Sequence, residues 1–337
     1  MIREALLYEN MGQRVRCNTC PRHCLLGEGR EGFCFTRRNQ GGKLFSLIYG
    51  EVASLSINPI EKKPVFHFYP GSRWLSLGAL GCNFRCPGCQ NWELSHSRGG
   101  SANYLSPEEL VSLAKRHRCL GISWTFNEPT IWLEYTIDGA KLAREQGLYT
   151  NYVTNGYITE EALDAIGPYL DVYRVDIKGF SQGSYGRTAH IPDFVPILEA
   201  VKRAKEKWGM HVELVTNLTP GYNDDEGELR GIAKWIRREL GAYTPWHITR
   251  FFPHLNLSHL EPTPLATLER GRRIAEEEGL YYVYLGNTPA PMNRGAGNTY
   301  CHQCGRLVIG RHIFDVIEYN LTEGRCRYCD IPIAGRF

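Results

Sequence analysis

Eleven of the chain's 12 cysteines fall into three groups, and each group has a spacing that suits a metal. Cys82-x3-Cys86-x2-Cys89 supplies three thiols with no fourth nearby. An iron–sulfur cube takes one thiolate per iron, so three ligands leave one iron open to an external ligand, which suits catalysis better than electron storage. The same thiols with a histidine such as His96 would instead make a zinc site. Cys17, Cys20, Cys24 and Cys34 place four thiols within 18 positions. That is enough for a tetrahedral zinc site stapling a small loop-rich module, or for an auxiliary iron–sulfur cluster, with free thiols as the third reading. Cys301-x2-Cys304 and Cys326-x2-Cys329 form two knuckles separated by 21 residues, with Gly305 after the first. They have the pattern of a zinc ribbon, with a rubredoxin-like iron as the rival. Cys119 stands alone and reads as a small buried apolar residue.

Composition sets the surroundings for this chemistry. The 337 residues are 42% hydrophobic and 22% charged, which excludes a disordered chain. A net charge of +3 is too small to argue for nucleic acid. No apolar run approaches the ~18 residues of a membrane span. Met1–Gln13 carries Arg3, Glu4 and Glu9 where a signal peptide needs an apolar core. The expectation is a cytoplasmic protein, in a reducing compartment where clustered thiols bind metals rather than pair.

The elements that must position these residues lie between 74 and 285. Trp74–Ala79, Ile122–Phe126, Tyr149–Thr154, Val172–Ile177, Val212–Thr216, His247–Phe252 and Tyr281–Leu285 are short and rich in β-branched or aromatic residues, and read as strands. Six helical runs separate them. Ser106-Pro107-Glu108-Glu109 has the capping-box arrangement, and Thr263-Pro264 is expected to open the last helix in the same way. Gly147, Gly209, Gly241 and Gly279 stand where helices stop before the next strand. Such alternation implies an α/β fold with a parallel sheet, either doubly wound or a complete or partial TIM-type (βα) barrel. A dinucleotide fold would have a Gly-rich loop after the first strand, where this chain has three cysteines. In a barrel, chemistry collects where strands end. Those positions hold the Cys82–Cys89 loop, Asn127-Glu128, Asn155-Gly156, Lys178, Asn217 and Asn287. The barrel is the preferred reading, giving a Cys-rich module at 1–73, a barrel at 74–290 and a zinc-ribbon-like module at 291–337.

The cysteine loop also carries a resemblance. Cys82-x3-Cys86-x2-Cys89 is similar to the cluster motif of the radical S-adenosylmethionine (SAM) superfamily. The continuations Gln90-Asn91-Trp92-Glu93 and Thr125-Phe126-Asn127-Glu128-Pro129-Thr130 resemble activating enzymes of the pyruvate formate-lyase type. Asn-Pro-Ile-Glu-Lys-Lys-Pro at 58–64, His67-Phe68-Tyr69-Pro70-Gly71 and the two flanking cysteine modules narrow this further. Together they resemble the radical SAM member of the AmmeMemoRadiSam system. The sequence departs from the superfamily at Gly88, where an aromatic residue usually packs on adenine. The resemblance implies a 4Fe-4S cluster on Cys82, Cys86 and Cys89 that binds SAM and cleaves it reductively. The 5′-deoxyadenosyl radical so formed would abstract hydrogen from an unidentified substrate. It further implies that Glu128 meets an amino group, unless it is a solvated loop acid. Asn155 would meet ribose hydroxyls or cap a helix, and Asn287 would hold adenine or serve a turn. The implied partners are a flavodoxin- or ferredoxin-type electron donor and AmmeMemo-type proteins.

In the fourth strand, side-chain alternation puts Arg174, Asp176 and Lys178 on one face and Tyr173, Val175 and Ile177 on the other. Helices cover a barrel's outer wall, so the charged face should turn inward, with its alternating signs paired. The alternative is an edge strand with a solvated face. Asp176-x-Lys178 also matches an activase motif in which the lysine meets the cofactor carboxylate, leaving Asp176 nearer the substrate. Three functions follow. One is a radical SAM enzyme on an unidentified substrate, and one is an activase acting on a backbone glycine of a large partner. The third is a zinc-ribbon nucleic-acid binder, which the ordinary density of Arg and Lys disfavours.

Overall fold

All seven expected strands are present in the computed structural model, which describes residues 1–289 and 295–337. They are β1 (Arg73–Gly78), β2 (Gly121–Trp124), β3 (Tyr149–Thr154), β4 (Val172–Asp176), β5 (His211–Leu218), β6 (Trp246–Arg250) and β7 (Val283–Gly286). The alternating helices are α1 (Pro107–Arg116), α2 (Leu133–Glu145), α3 (Glu160–Ile166), α4 (Val195–Glu206), α5 (Glu226–Trp235) and α6 (Leu265–Glu277). Two short helices, Trp92–Ser95 and Gln182–Thr188, were not legible in the periodicity. The chain divides into two units. One is Met1–Asn58, Arg73–Tyr173 and Asp193–Met210, and the other is Pro59–Ser72, Arg174–Pro192 and His211–Phe337.

In the first unit β2 lies between β1 and β3, parallel to both, with Ile122 opposite Leu75 and Thr150. Every residue of β2 is buried, as expected where helices cover both faces of a parallel sheet. Ser106 starts α1 as a capping box. Its hydroxyl accepts from the Glu109 amide at 3.2 Å, and the Glu109 carboxylate accepts from the Ser106 amide at 2.9 Å. Gly147, at φ +77°, stops α2 in a backbone conformation that costs other residues a Cβ clash.

The same unit contains the N-terminal module. Tyr8–Asn10, Arg14–Cys17 and Leu25–Gly27 form one antiparallel sheet; Arg3–Glu4, Lys43–Ser46 and Arg37–Gln40 form another. Its apolar centre is small, comprising Ala5, Val15, Cys17, Leu26 and Leu44. A buried ion pair fastens it to α2. Both terminal nitrogens of Arg37 donate to Glu134 at 2.9 Å, and the Leu6 amide adds a third bond at 3.0 Å.

In the second unit β6 lies between β5 and β7, again parallel to both. Thr263 does not cap α6 as expected. Its hydroxyl accepts from the Phe251 amide at 2.9 Å and donates to the Leu218 carbonyl, so the helix opens after Pro264 without a side-chain cap. The loop's need to tie β5 to the end of β6 outweighs capping here. The C-terminal strands Thr299–Tyr300, Leu307–His312 and Asp315–Tyr319 form an antiparallel sheet. Val308, Ile309 and Leu321 from this region share a buried cluster with Phe66, Tyr282 and Tyr284. The expected module boundary at 290/291 lies outside the described residues. Among the described residues, no helix is long and apolar enough to cross a membrane.

Glu134→Ala leaves the Arg37 charge buried without its partner, and should lower unfolding stability by about 3–5 kcal/mol in denaturant titration. Burial pushes the Glu134 carboxyl up, but Arg37 outweighs it and holds the carboxyl below its ordinary value. A carboxyl depressed in the folded state stabilises the fold above its unfolded pKa. That stability is lost as pH falls through the depressed folded value. The variant should therefore show a weaker acid dependence of stability than the parent.

Candidate active site and zinc-type thiol site

The end of β1 is fitted closely to its neighbours. A Cβ on Gly78 would stand 2.5 Å from the Thr125 carbonyl oxygen. At Gly81, where φ is +87°, a Cβ would meet the Cys34 carbonyl oxygen at 2.4 Å and Thr36 Cγ2 at 2.7 Å. The chain turns at Gly81 into the cysteine loop, with Cys82 buried and Cys86 and Cys89 half-buried. The Phe84 amide donates to Cys82 Sγ at 3.4 Å, and Ser95 Oγ lies 3.1 Å from Cys89 Sγ.

Side-chain amides hold this loop. Asn127 accepts from the Ala79 amide at 3.2 Å and donates to the Gly81 carbonyl at 2.9 Å. Asn91 donates to the Phe126 carbonyl at 2.8 Å. Asn83 is fully buried, donates to the Tyr157 carbonyl at 2.8 Å and accepts from Asn155 Nδ2 at 2.8 Å. The same Asn155 nitrogen lies 3.9 Å from Cys82 Sγ. The Asn155 backbone amide donates to Glu128 at 2.7 Å, and Thr154 Oγ1 and the Thr130 amide donate to the other carboxylate oxygen at 2.7 and 2.9 Å. A continuous polar path thus runs from Cys82 to the ends of β2 and β3.

Glu128 is 1% exposed, so it is not a solvated loop acid. Burial raises its pKa, only partly offset by the amides and hydroxyl it accepts from. Asn155 does not cap the following helix. Thr159 does, its hydroxyl accepting from the Ala162 amide at 3.3 Å. Sequence reasoning missed Asn83 and Thr154, since nothing about an asparagine after a cysteine reveals what it will meet 72 residues on.

The charged ladder of β4 is paired, as expected. Asp176 accepts from Arg174 at 2.5 Å and from Lys178 at 3.1 Å, and Arg174 is only 8% exposed. Burial pushes the Asp176 carboxyl up, but the two cations outweigh it and hold it low. Asn223 donates to the carbonyls of Lys178 and Asn217, each at 3.0 Å, fixing the loops after β4 and β5. Asn287 sits in a turn at φ +58°, is exposed, and donates to the Arg250 carbonyl at 3.2 Å. Lys63, part of the 58–64 stretch but given no role in the sequence, is buried. Burial and the nearby Lys62 and Arg174 push its ammonium down to about 7.

The thiol sets differ in compactness. A tetrahedral Zn–S length near 2.3 Å sets sulfurs roughly 3.8 Å apart. Cys301 and Cys329 sulfurs lie 3.5 Å apart, Cys304 and Cys326 sulfurs 3.7 Å, and all four fall within 4.8 Å of one another. That set could hold zinc. Cys82, Cys86 and Cys89 do not meet that limit, alone or with His96. Three thiols along one loop that do not close to a single-ion distance fit an iron–sulfur cube instead.

A βα fold with three thiols in the loop after its first strand is an arrangement that suits a cluster-bearing protein. Residues 78–236 match the Radical SAM superfamily model. The chain is 44% identical to an uncharacterized protein of Methanocaldococcus jannaschii, over 97% of this chain and 98% of that one. It is 28% identical to a pyruvate formate-lyase-activating enzyme of Clostridium pasteurianum, over 47% of this chain and 66% of that one. A radical SAM methyltransferase from Sphaerobacter thermophilus shares the fold at a TM-score of 0.51 and 16% identity, with 71% of each chain covered. The chain belongs to the Radical SAM superfamily. It is a radical SAM enzyme, and the cofactors of that family are a 4Fe-4S cluster and SAM.

Changing Cys301 and Cys304 to serine should release about one zinc per chain in metal analysis and lower the melting temperature. The visible spectrum of the catalytic cluster should be unchanged.

Proposed function

We propose that Cys82, Cys86 and Cys89 hold the catalytic cluster and that Glu128, Asn155, Lys178 and Asn287 contact SAM, with Asp176 toward the substrate. When bound, the cluster supplies the electron that splits SAM into methionine and a 5′-deoxyadenosyl radical, which takes hydrogen from the substrate. The observation that carries this reading is the buried path from Cys82 through Asn83 and Asn155 to Glu128. It holds a buried carboxylate at the margin of the thiol loop, where an ammonium group would pair with it. Lys178 offers a cation for a carboxylate, and its bond to Asp176 orients it. Asp176, held ionised, has no proton to release and can accept a hydrogen bond from the substrate.

The substrate is the open part of this reading. A glycyl-radical activase is a second reading, favoured because the more distant relatives bear activating-enzyme names. Its substrate would be a backbone glycine in a large partner. We further propose a cytoplasmic setting, an electron donor of the flavodoxin or ferredoxin type, and AmmeMemo-type partner proteins. The residues 1–73, 74–290 and 291–337 serve in this reading as accessory, catalytic and zinc modules.

Replacing Cys82, Cys86 and Cys89 together by alanine should abolish 5′-deoxyadenosine production in an anaerobic assay with dithionite, while far-UV dichroism is retained. Undiminished production would overturn the assignment. Glu128→Gln should weaken SAM binding about tenfold, the scale of one charge-assisted hydrogen bond. The parent's affinity should fall as pH drops through the raised Glu128 value, and the glutamine variant should lose that dependence. Lys178→Ala should weaken equilibrium binding of SAM, whereas Asp176→Asn should spare binding and slow substrate-dependent turnover.

A further inference from the structure

The sequence leaves the N-terminal cysteines open among zinc, iron–sulfur and free thiols, and their surroundings bear on the choice. Cys17 ends the strand Arg14–Cys17, and its amide bonds the Cys24 carbonyl at 3.0 Å. Cys20 begins a tight turn closed by the His23 amide at 3.1 Å, and Cys34 lies on the loop that Gly32 opens with a 2.8 Å bond to the Arg37 carbonyl. The four side chains line one cavity, with Arg37 and Asn83 also on its wall. A Cβ on Gly32 would stand 3.7 Å from Cys34 Sγ and 3.9 Å from Cys24 Sγ, so that glycine leaves space between two of the thiols.

The four thiols share a cavity without closing on a point. No three of them lie within 4.8 Å of one another, unlike the C-terminal set in the same chain. A single zinc ion draws its sulfurs to about 3.8 Å. A cube of four irons, each bearing one thiolate, spreads them to roughly 6 Å. Cys82, Cys86 and Cys89, proposed above as the ligands of the first cluster, do not meet that limit either.

The wall complements an anionic centre. Arg37 is 1% exposed, and while its two terminal nitrogens bind Glu134, its buried Nε has no hydrogen-bond partner. An orphaned cationic N–H on a cavity of thiols is costly unless something negative fills the space. Thr36 Oγ1 donates to Cys34 Sγ at 3.1 Å, and Thr19 Oγ1 lies 3.6 Å from Cys17 Sγ.

We infer that Cys17, Cys20, Cys24 and Cys34 hold a second iron–sulfur cluster of the 4Fe-4S type, not zinc. It lies against the loop of the first. Asn83, on the wall of this cavity, directly follows Cys82, and its carbonyl accepts from Arg22 at 2.6 Å. Arg85 joins the two loops, donating to the carbonyls of Cys82 at 2.8 Å and Phe33 at 2.6 Å.

The test uses the full chain with Cys82, Cys86 and Cys89 replaced by alanine, reconstituted anaerobically with iron and sulfide and compared with the parent. The variant should retain about four irons and four sulfides, together with one zinc, and give a paramagnetic resonance signal on reduction with dithionite. Adding Cys20→Ser and Cys24→Ser should remove that iron. A triple variant that carries two zinc ions and no sulfide, or neither metal nor sulfide at the N-terminal site while its dichroism is native, would overturn the inference. The parent separates this from the proposed active site. Equal iron in parent and triple variant would sink the Cys82–Cys89 assignment and leave the second cluster standing. Iron in the parent alone would do the reverse.

Discussion

The structure of the first unit turns on the fully buried asparagine that follows Cys82. Asn83 has no solvent to satisfy its amide, so its hydrogen bonds must be made within the protein or the loop cannot pack. It makes them with the Tyr157 carbonyl and the Asn155 amide, both beyond the end of β3. That requirement fixes the loop against β3, and Asn155 in turn holds Glu128 through its backbone amide. Such a network is either fully satisfied or more costly than an apolar core. Its rigidity sets the thiols and the carboxylate together, whereas solvent-exposed side chains on a mobile loop would drift.

Most of the barrel elements were legible because they follow local rules. Strand residues with period-two or continuous burial, separated by capped and glycine-stopped helices, gave β1 to β7 to within about two residues. The capping box at Ser106 was readable because its partners are three residues apart. Thr263 was misread because its partners, Phe251 and Leu218, are 12 and 45 residues away. The same distance limit hid Asn83 and the Arg37–Glu134 pair, whose members are separated by 97 positions. The charged ladder of β4 was readable because alternation along one strand is local. Lys63 was not, because its burial depends on the fold around it.

The N-terminal module shows how a poor apolar core is compensated. Five small or medium residues cannot order some 50 residues of irregular chain. The ion pair to α2 fixes one side of the module, but a buried pair adds little net stability over an apolar contact and is costly mainly when broken. Bonds from Trp132 Nε1 to the Ile48 carbonyl at 2.6 Å and from the Thr159 hydroxyl to the Asn18 carbonyl at 2.7 Å add further ties, and four thiols around one cavity offer another means. A bound inorganic centre binds the folded module and not the open chain, so its binding free energy becomes folding free energy.

Compactness then separates the chain's thiol sets into two kinds. The C-terminal thiols converge on a point, alternate between buried and exposed, and sit beside an apolar cluster that is already adequate. That is the arrangement of a staple. The two N-terminal thiol sets instead stand apart within their loops, and amides, hydroxyls and an unpartnered guanidinium nitrogen surround them. Gly81 shows that the two sets are built together, because a side chain there would strike the Cys34 carbonyl. The close fit between the first module and the catalytic loop is therefore a constraint on both, and neither loop can be remodelled without moving the other's thiols.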